Sequence, residues 1–301
     1  MKSHKFSPAI FIGLLVVVQP LIAAESDSAI QARQAVERGD KLRNSDSSIG
    51  EYSKAIRLDP TCVKAFIGRG CAYVERGEFD KAVIDFTVAI RLDPTNALRY
   101  SNRALAYHEK GDFDRAIADL TQAIQLDRTP ASAYAHRGCA YDSKGDYHRA
   151  IADFTEAVRL DPKLDFGFTS RGMTYLEKHE YDKAISDCTE AIWLNPKHSQ
   201  TFEIRGHAYE GKRDFDRAIA DFTEVIRLDP KDPQGYVARG RAYQQKGNLD
   251  QAIADYTEAI RLDPKFGVAY ANRGAAYRQK GEKAKADEDF AKAKQLAHPR
   301  K

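Results

Sequence analysis

Along ASAYAHRGCAYDSK, residues 131–144, small and apolar side chains recur at i, i+4 and i+7. The same spacing resumes in YHRAIADFTEAVRL, residues 147–160. That is the period of a helix with one buried face, whereas a half-buried strand would alternate every second residue. Between the two runs stands Gly145-Asp146. Gly145 can end the first helix in a left-handed conformation, and the Asp146 carboxylate can cap the second. Asp161-Pro162 follows, and a proline there stops the second helix. No alternating β-branched run occurs anywhere in the chain, so the pattern predicts paired helices and no sheet.

The pair is copied along the chain. RAIADFTEAVRLDP at 149–162 returns as KAISDCTEAIWLNP at 183–196 and as RAIADFTEVIRLDP at 217–230, a period of 34 residues. Leu58, Tyr73 and Ala82 each recur at this spacing, as far as Leu262, Tyr277 and Ala286, without a slip. A fixed period of this length signals stacked units whose faces are buried only against their neighbours. The expected fold is therefore all-α, an α-solenoid of helix–turn–helix units. Seven full units fall at 63–96, 97–130, 131–164, 165–198, 199–232, 233–266 and 267–300, preceded by a worn copy at 29–62 within an N-terminal capping segment, 25–62.

This pattern resembles the tetratricopeptide repeat family, whose 34-residue units carry an aromatic at position 4, Gly at 8, Tyr at 11, Ala at 20, an aromatic at 24, Ala at 27 and Pro at 32. The unit at 131–164 supplies Tyr134, Gly138, Tyr141, Ala150, Phe154, Ala157 and Pro162. Departures are few. Ala104 stands for the glycine in the second unit and Cys188 for the aromatic in the fourth. Arg128 stands for the proline in the second, with Pro130 two residues on. The small residues at positions 8 and 20 let two helix backbones approach closely, where a larger side chain would overpack.

The resemblance implies a superhelix whose first helices line a concave groove for extended peptides or helices of partner proteins, with positions 2, 5, 6, 9, 12 and 13 facing it. On those positions the candidate binding residues are Asn102, Leu105, His136, Cys139, Phe166, Met173, His207, Arg241 and Gln245. The N-terminal half of this wall reads as soft and apolar, the C-terminal half as polar and basic. A partner with an apolar segment followed by acidic or polar residues fits that order; the alternative is an unused wall whose residues simply vary. Two specialisations of the family are not expected. Position 5 carries no lysine for clamping a terminal carboxylate, and only Asn102 and Asn272 stand at position 6, so there is no asparagine run.

Two charged residues keep the period without exception, Arg69 to Arg273 on the first helices and Asp85 to Asp289 on the second. They read either as a ladder of structural ion pairs or as seven arginines for an anionic ligand, the latter requiring each aspartate to lie elsewhere. At the ends the pattern changes. In the last unit, positions apolar elsewhere become Lys283, Asp287 and Lys294, so this helix reads as a polar cap with no further domain expected after it. At the other end Ser48 replaces an alanine, while Tyr52, Ala55 and Pro60 keep the pattern.

Composition adds a location and removes several functions. Residues 1–24 combine Lys2 and Lys5, the run AIFIGLLVVV, the break Gln19-Pro20 and a small-residue stretch ending at Ala24. That is the plan of a signal peptide cleaved after Ala24, which makes the protein exported, periplasmic or secreted. The alternative is a retained membrane anchor, for which the run is short. The net charge is +3, and +1 without Lys2 and Lys5, which gives no electrostatic reason to expect nucleic acid. Cys62, Cys71, Cys139 and Cys188 are expected as free thiols, because Cys71 and Cys139 hold one position two units apart, too far to bridge. Gly206 to Arg213 imitates a phosphate-binding loop, but no strand precedes it and Arg213 stands where Ser or Thr is needed. Arg38-Gly39-Asp40 is an integrin-type tripeptide by chance. The histidines have no metal spacing and no catalytic set assembles, so neither enzymatic activity nor a cofactor is expected.

Overall fold

The structure, a computed structural model, describes residues 26–42 and 45–297. Among these residues there are sixteen α-helices and no strand. The worn unit forms α1 (Asp27–Lys41) and α2 (Ser45–Leu58). The next three units form α3 (Val63–Glu75) and α4 (Phe79–Leu92), α5 (Ala97–Glu109) and α6 (Phe113–Leu126), and α7 (Ala131–Ser143) and α8 (Tyr147–Leu160). They are followed by α9 (Asp165–Glu177) and α10 (Tyr181–Leu194), then α11 (Ser199–Gly211) and α12 (Phe215–Leu228). The last two pairs are α13 (Pro233–Lys246) and α14 (Leu249–Leu262), then α15 (Gly267–Gln279) and α16 (Lys283–Ala297). The segment read as a signal peptide lies outside the described residues.

The turns are built as the residues dictate. Asp112, Asp146 and Asp214 each accept a hydrogen bond from the backbone N–H three residues on, at 3.2–3.3 Å, capping α6, α8 and α12. Gly145 takes φ +76° in the α7–α8 turn. At the same place in the next two units His179 and Arg213 are held at φ 58° and 61°, a conformation that costs an L-residue roughly 1–2 kcal/mol. Arg213 thus belongs to a tight inter-helix turn, and the phosphate-loop imitation is a helix end: a Cβ on Gly206 or Gly211 would strike Phe222 or Tyr181.

Each helix packs against its chain neighbours, and most successive first helices also approach one another, which successive second helices do not do to the same extent. A stack in which the odd-numbered helices approach more closely must curve with those helices inside, so they form the concave wall. Within a unit, the position-8 glycine lies under the aromatic at position 24. A Cβ on Gly70, Gly138, Gly206 or Gly240 would come within 2.6–2.7 Å of the facing ring. The two departures obey the same constraint. Where Ala104 replaces the glycine, the facing residue is the shorter Leu120 and the two share one core cluster. Where the aromatic is lost, Cys188 fills the space beneath Gly172.

The periodic charges are structural. Each of the seven periodic arginines, Arg69 to Arg273 in steps of 34, grips the Asp sixteen residues later with two parallel bonds of 2.7–2.9 Å, Nε to Oδ2 and Nη2 to Oδ1. These aspartates are only 2–7% exposed. The third nitrogen, Nη1, reaches back 3.0–3.3 Å to a hydroxyl on the preceding unit's second helix, from Ser53 for Arg69 to Thr257 for Arg273. Each of these threonines donates its own proton to the carbonyl four residues back, at 2.7 Å. The guanidinium therefore closes a unit and joins it to the one before. With every aspartate in contact, the reading of seven free arginines for an anionic ligand is set aside.

Ala150 lies fully buried at the helix–helix contact, whereas Glu156 is paired with Arg159 on the outer surface. Ala150→Leu is expected to lower stability by about 1–3 kcal/mol through overpacking, while Glu156→Gln leaves the urea midpoint unchanged. Equal midpoints for the two variants would show that the register is wrong.

Candidate groove site

The concave wall opens where its helices part. α5 and α7, like α11 and α13, stand further apart than the other successive first helices. The α6–α7 link is the one in which Arg128-Thr129-Pro130 departs from the pattern. Between α5 and α7 lies a recess of about 470 Å³, within the range of pockets that accept small molecules or side chains. Five of the nine predicted residues line it: Asn102, Leu105, His136, Cys139 and Phe166. Leu98, Ser101, His108 and Glu109, at groove positions 2, 5, 12 and 13 of the same unit but outside the nine candidates, also line it. Their signal was present, since Leu98 is a leucine at a groove position, 63% exposed.

The recess has an apolar mouth. Leu105 is 44% exposed and Phe166 is 38% exposed. The Phe166 ring lies against the His136 imidazole with centroids 5.6 Å apart. His136 Nδ1 sits 2.8 Å from the Ser132 carbonyl, so the proton belongs on Nδ1 and the bond fixes the ring. His108 Nε2 lies 3.2 Å from the Ser143 hydroxyl, a link across the two helices that form the walls. Cys139 is partly buried, and burial pushes its thiol up to about 11, so it is a soft contact and a poor nucleophile at neutral pH. Cys188 is in the core, raised by burial to about 12. All four cysteines are unpaired.

The remaining predicted residues lie outside the recess. Met173 is half-buried on α9 and Gln245 is exposed near the end of α13. His207 and Arg241 meet around Glu210. Arg241 binds Glu210 through Nη2 and Nε at 2.7 and 3.1 Å, and His207 Nδ1 lies 2.8 Å from the same carboxylate. Glu203 flanks His207 Nε2 at 3.8 Å and the Phe222 ring lies 5.0 Å below. The basic character expected at Arg241 is thus cancelled by Glu210, 31 residues earlier, and this cluster is a clasp between α11 and α13.

The clasp has a pH dependence of known sign. Burial acts to lower the His207 pKa, but hydrogen bonds to Glu203 and Glu210 outweigh it and the value is raised above 6.5. A raised folded value means that the stabilisation is complete below the unfolded pKa and is lost as pH rises through the folded one. The thermal midpoint is expected to fall between pH 6 and 8 more steeply in the wild type than in His207→Gln. Identical profiles would remove His207 from the clasp.

Profiles described as tetratricopeptide repeat or TPR repeat match residues 70–111, 97–130, 131–164, 200–232, 222–254, 240–281 and 268–297, together well over half of the chain. No curated protein matches it by sequence. Among solved structures, MamA is 27% identical with a TM-score of 0.51, over 53% of this chain and 94% of its own. YrrB, described as a TPR protein with an unusual peptide-binding site, is 26% identical with a TM-score of 0.52, over 61% of this chain and 95% of its own. A tetratricopeptide repeat protein from Parabacteroides merdae shares the fold at 20% identity and a TM-score of 0.60, over 79% of this chain and 94% of its own. With the matches at 97–130, 131–164, 200–232 and 268–297 each following a helix pair, and the family's small residues buried where helices meet, the chain belongs to the tetratricopeptide repeat family.

Proposed function

We propose that the protein is a non-catalytic interaction scaffold that holds a peptide or protein segment in its concave groove, centred on α5, α7 and α9. The observation that carries this reading is the recess between α5 and α7 with Leu105 and Phe166 exposed at its mouth. Exposed apolar groups gathered at a concavity mark interaction sites, whereas scattered ones need no explanation. YrrB, a TPR protein with an unusual peptide-binding site, supports a peptide-class ligand. The test is to isolate partners by crosslinking and measure binding of the purified pair. Leu105→Glu is expected to abolish it and Glu156→Gln, on the outer face, to leave it unchanged. Retained binding in Leu105→Glu would move the site elsewhere.

We also read the protein as exported. Lys2, Lys5, the run AIFIGLLVVV and the small residues before Glu25 support that location. No described helix is long and apolar enough to cross a membrane. Sequencing the N-terminus of the native protein is expected to begin at Glu25. A start at or near Met1 would favour a tethered assembly factor instead.

A further inference from the structure

We propose that the groove selects a basic, apolar segment: a polypeptide stretch whose leucine- or phenylalanine-class side chains enter the α5–α7 recess while its lysines or arginines meet carboxylates along the rim. This rests on the reading of the groove as the binding surface and adds the chemistry of its occupant.

The last turn of each first helix in units one to four carries a carboxylate on the groove side, Glu75, Glu109, Asp142 and Glu177. Glu109 lines the recess itself. No lysine or arginine pairs with any of the four among the described residues. Glu109 has only the ring of the adjacent His108, 3.7 Å away. Asp142 accepts a hydrogen bond from the Thr174 hydroxyl at 2.6 Å, and Glu177 one from the Tyr147 hydroxyl at 3.3 Å. Cations of the same turns are already taken. Arg76 pairs with Asp46 and Glu78, Lys110 with Asp80, Lys144 with Asp114, and Lys178 with Glu180.

The acidity also has an end. In unit five Glu210 is neutralised by Arg241. In units six and seven the same positions are Gln244, Gln245, Arg278 and Gln279. The unmatched negative charge therefore lies alongside the apolar mouth and stops beyond it. Like-signed rim charges around an apolar centre steer a partner of opposite sign and reject one of the same sign. The occupant expected from sequence, an apolar segment followed by acidic or polar residues, differs from this one in the charge it carries.

The test uses the full chain and two fluorescent peptides of alternating Leu and charged residues, one with Lys and one with Glu. Fluorescence anisotropy is expected to show binding of the Lys peptide alone, weakening as salt is raised. Glu109→Gln with Glu177→Gln should weaken it about fivefold, from two rim ion pairs. Leu105→Ser with Phe166→Ser should weaken it at least about tenfold. Equal binding of both peptides, with loss only in the Leu105/Phe166 variant, would overturn the charge selection and leave the groove reading intact. Binding of neither peptide, with the Leu105/Phe166 variant altering only self-association in sedimentation, would overturn both. In that case the occupant is a second copy of the chain.

Discussion

Asp153→Ala is expected to cost about 3 kcal/mol in urea denaturation, far more than removal of an exposed charge. The magnitude follows from what is left behind. Asp153 is 7% exposed and holds Arg137 through two bonds of 2.7 and 2.9 Å. Without it a half-buried guanidinium keeps the Thr121 hydroxyl at 3.1 Å and the Tyr134 ring at 5.3 Å but no anion, and an uncompensated buried charge is far more costly than the pair is worth. Two comparisons separate this from loss of charge as such. Asp114→Ala removes an exposed aspartate bound to Lys144 and should cost less than about 0.5 kcal/mol. Arg137→Met combined with Asp153→Leu removes both charges and should cost less than Asp153→Ala alone. If the double change costs more, the ladder is a net source of stability and its burial is not the governing factor.

Gly138→Ala should destabilise by about 1–2 kcal/mol although alanine is the better helix former. The added Cβ would lie 2.7 Å from the Phe154 ring, well inside contact distance, and overpacking of this kind costs about 1–3 kcal/mol. The gain in helix propensity, roughly 0.5–1 kcal/mol, offsets only part of that. The protein already contains the solution, for Ala104 faces Leu120 in the preceding unit. Adding Phe154→Leu to Gly138→Ala should therefore cost less than the two single changes summed, by about 1 kcal/mol or more, as a double-mutant cycle reads it. Strict additivity would mean that the helices separate to admit the methyl group, and that the glycine does not set their spacing.

The fold was legible because every unit repeats one arrangement, so that Tyr134, Gly138, Ala150 and Phe154 need be read only once. The ladder was legible as a periodicity, and its choice between packing and ligand binding turned on whether each Asp reaches its Arg, which spacing alone leaves open. Its third member was overlooked although Ser53 and Thr87 to Thr257 keep the same period; a small polar residue on an amphipathic helix draws no attention until an arginine from the next unit is seen to need it. The groove was legible only in part. Leu105, His136 and Cys139 follow from their position in the unit, but the recess depends on the gap between α5 and α7, a spacing between units that no single unit's sequence states. The neutralisation of Arg241 depends on Glu210, a pairing across units that a list of arginines does not contain.

Each junction takes its guanidinium from one side and its hydroxyl from the other, and this makes the protein's length adjustable in whole steps. Excising residues 131–164 would bring Arg171 to Thr121 in place of Thr155, and every seam would remain closed. Removing half as much would set first helix against first helix and leave both halves of a seam without their counterpart. A gene that lengthens or shortens by 34 codons can thus explore grooves of different reach without redesigning this latch, which α16 alone among the second helices of α2 to α16 lacks, carrying Ala291 where the others carry a hydroxyl.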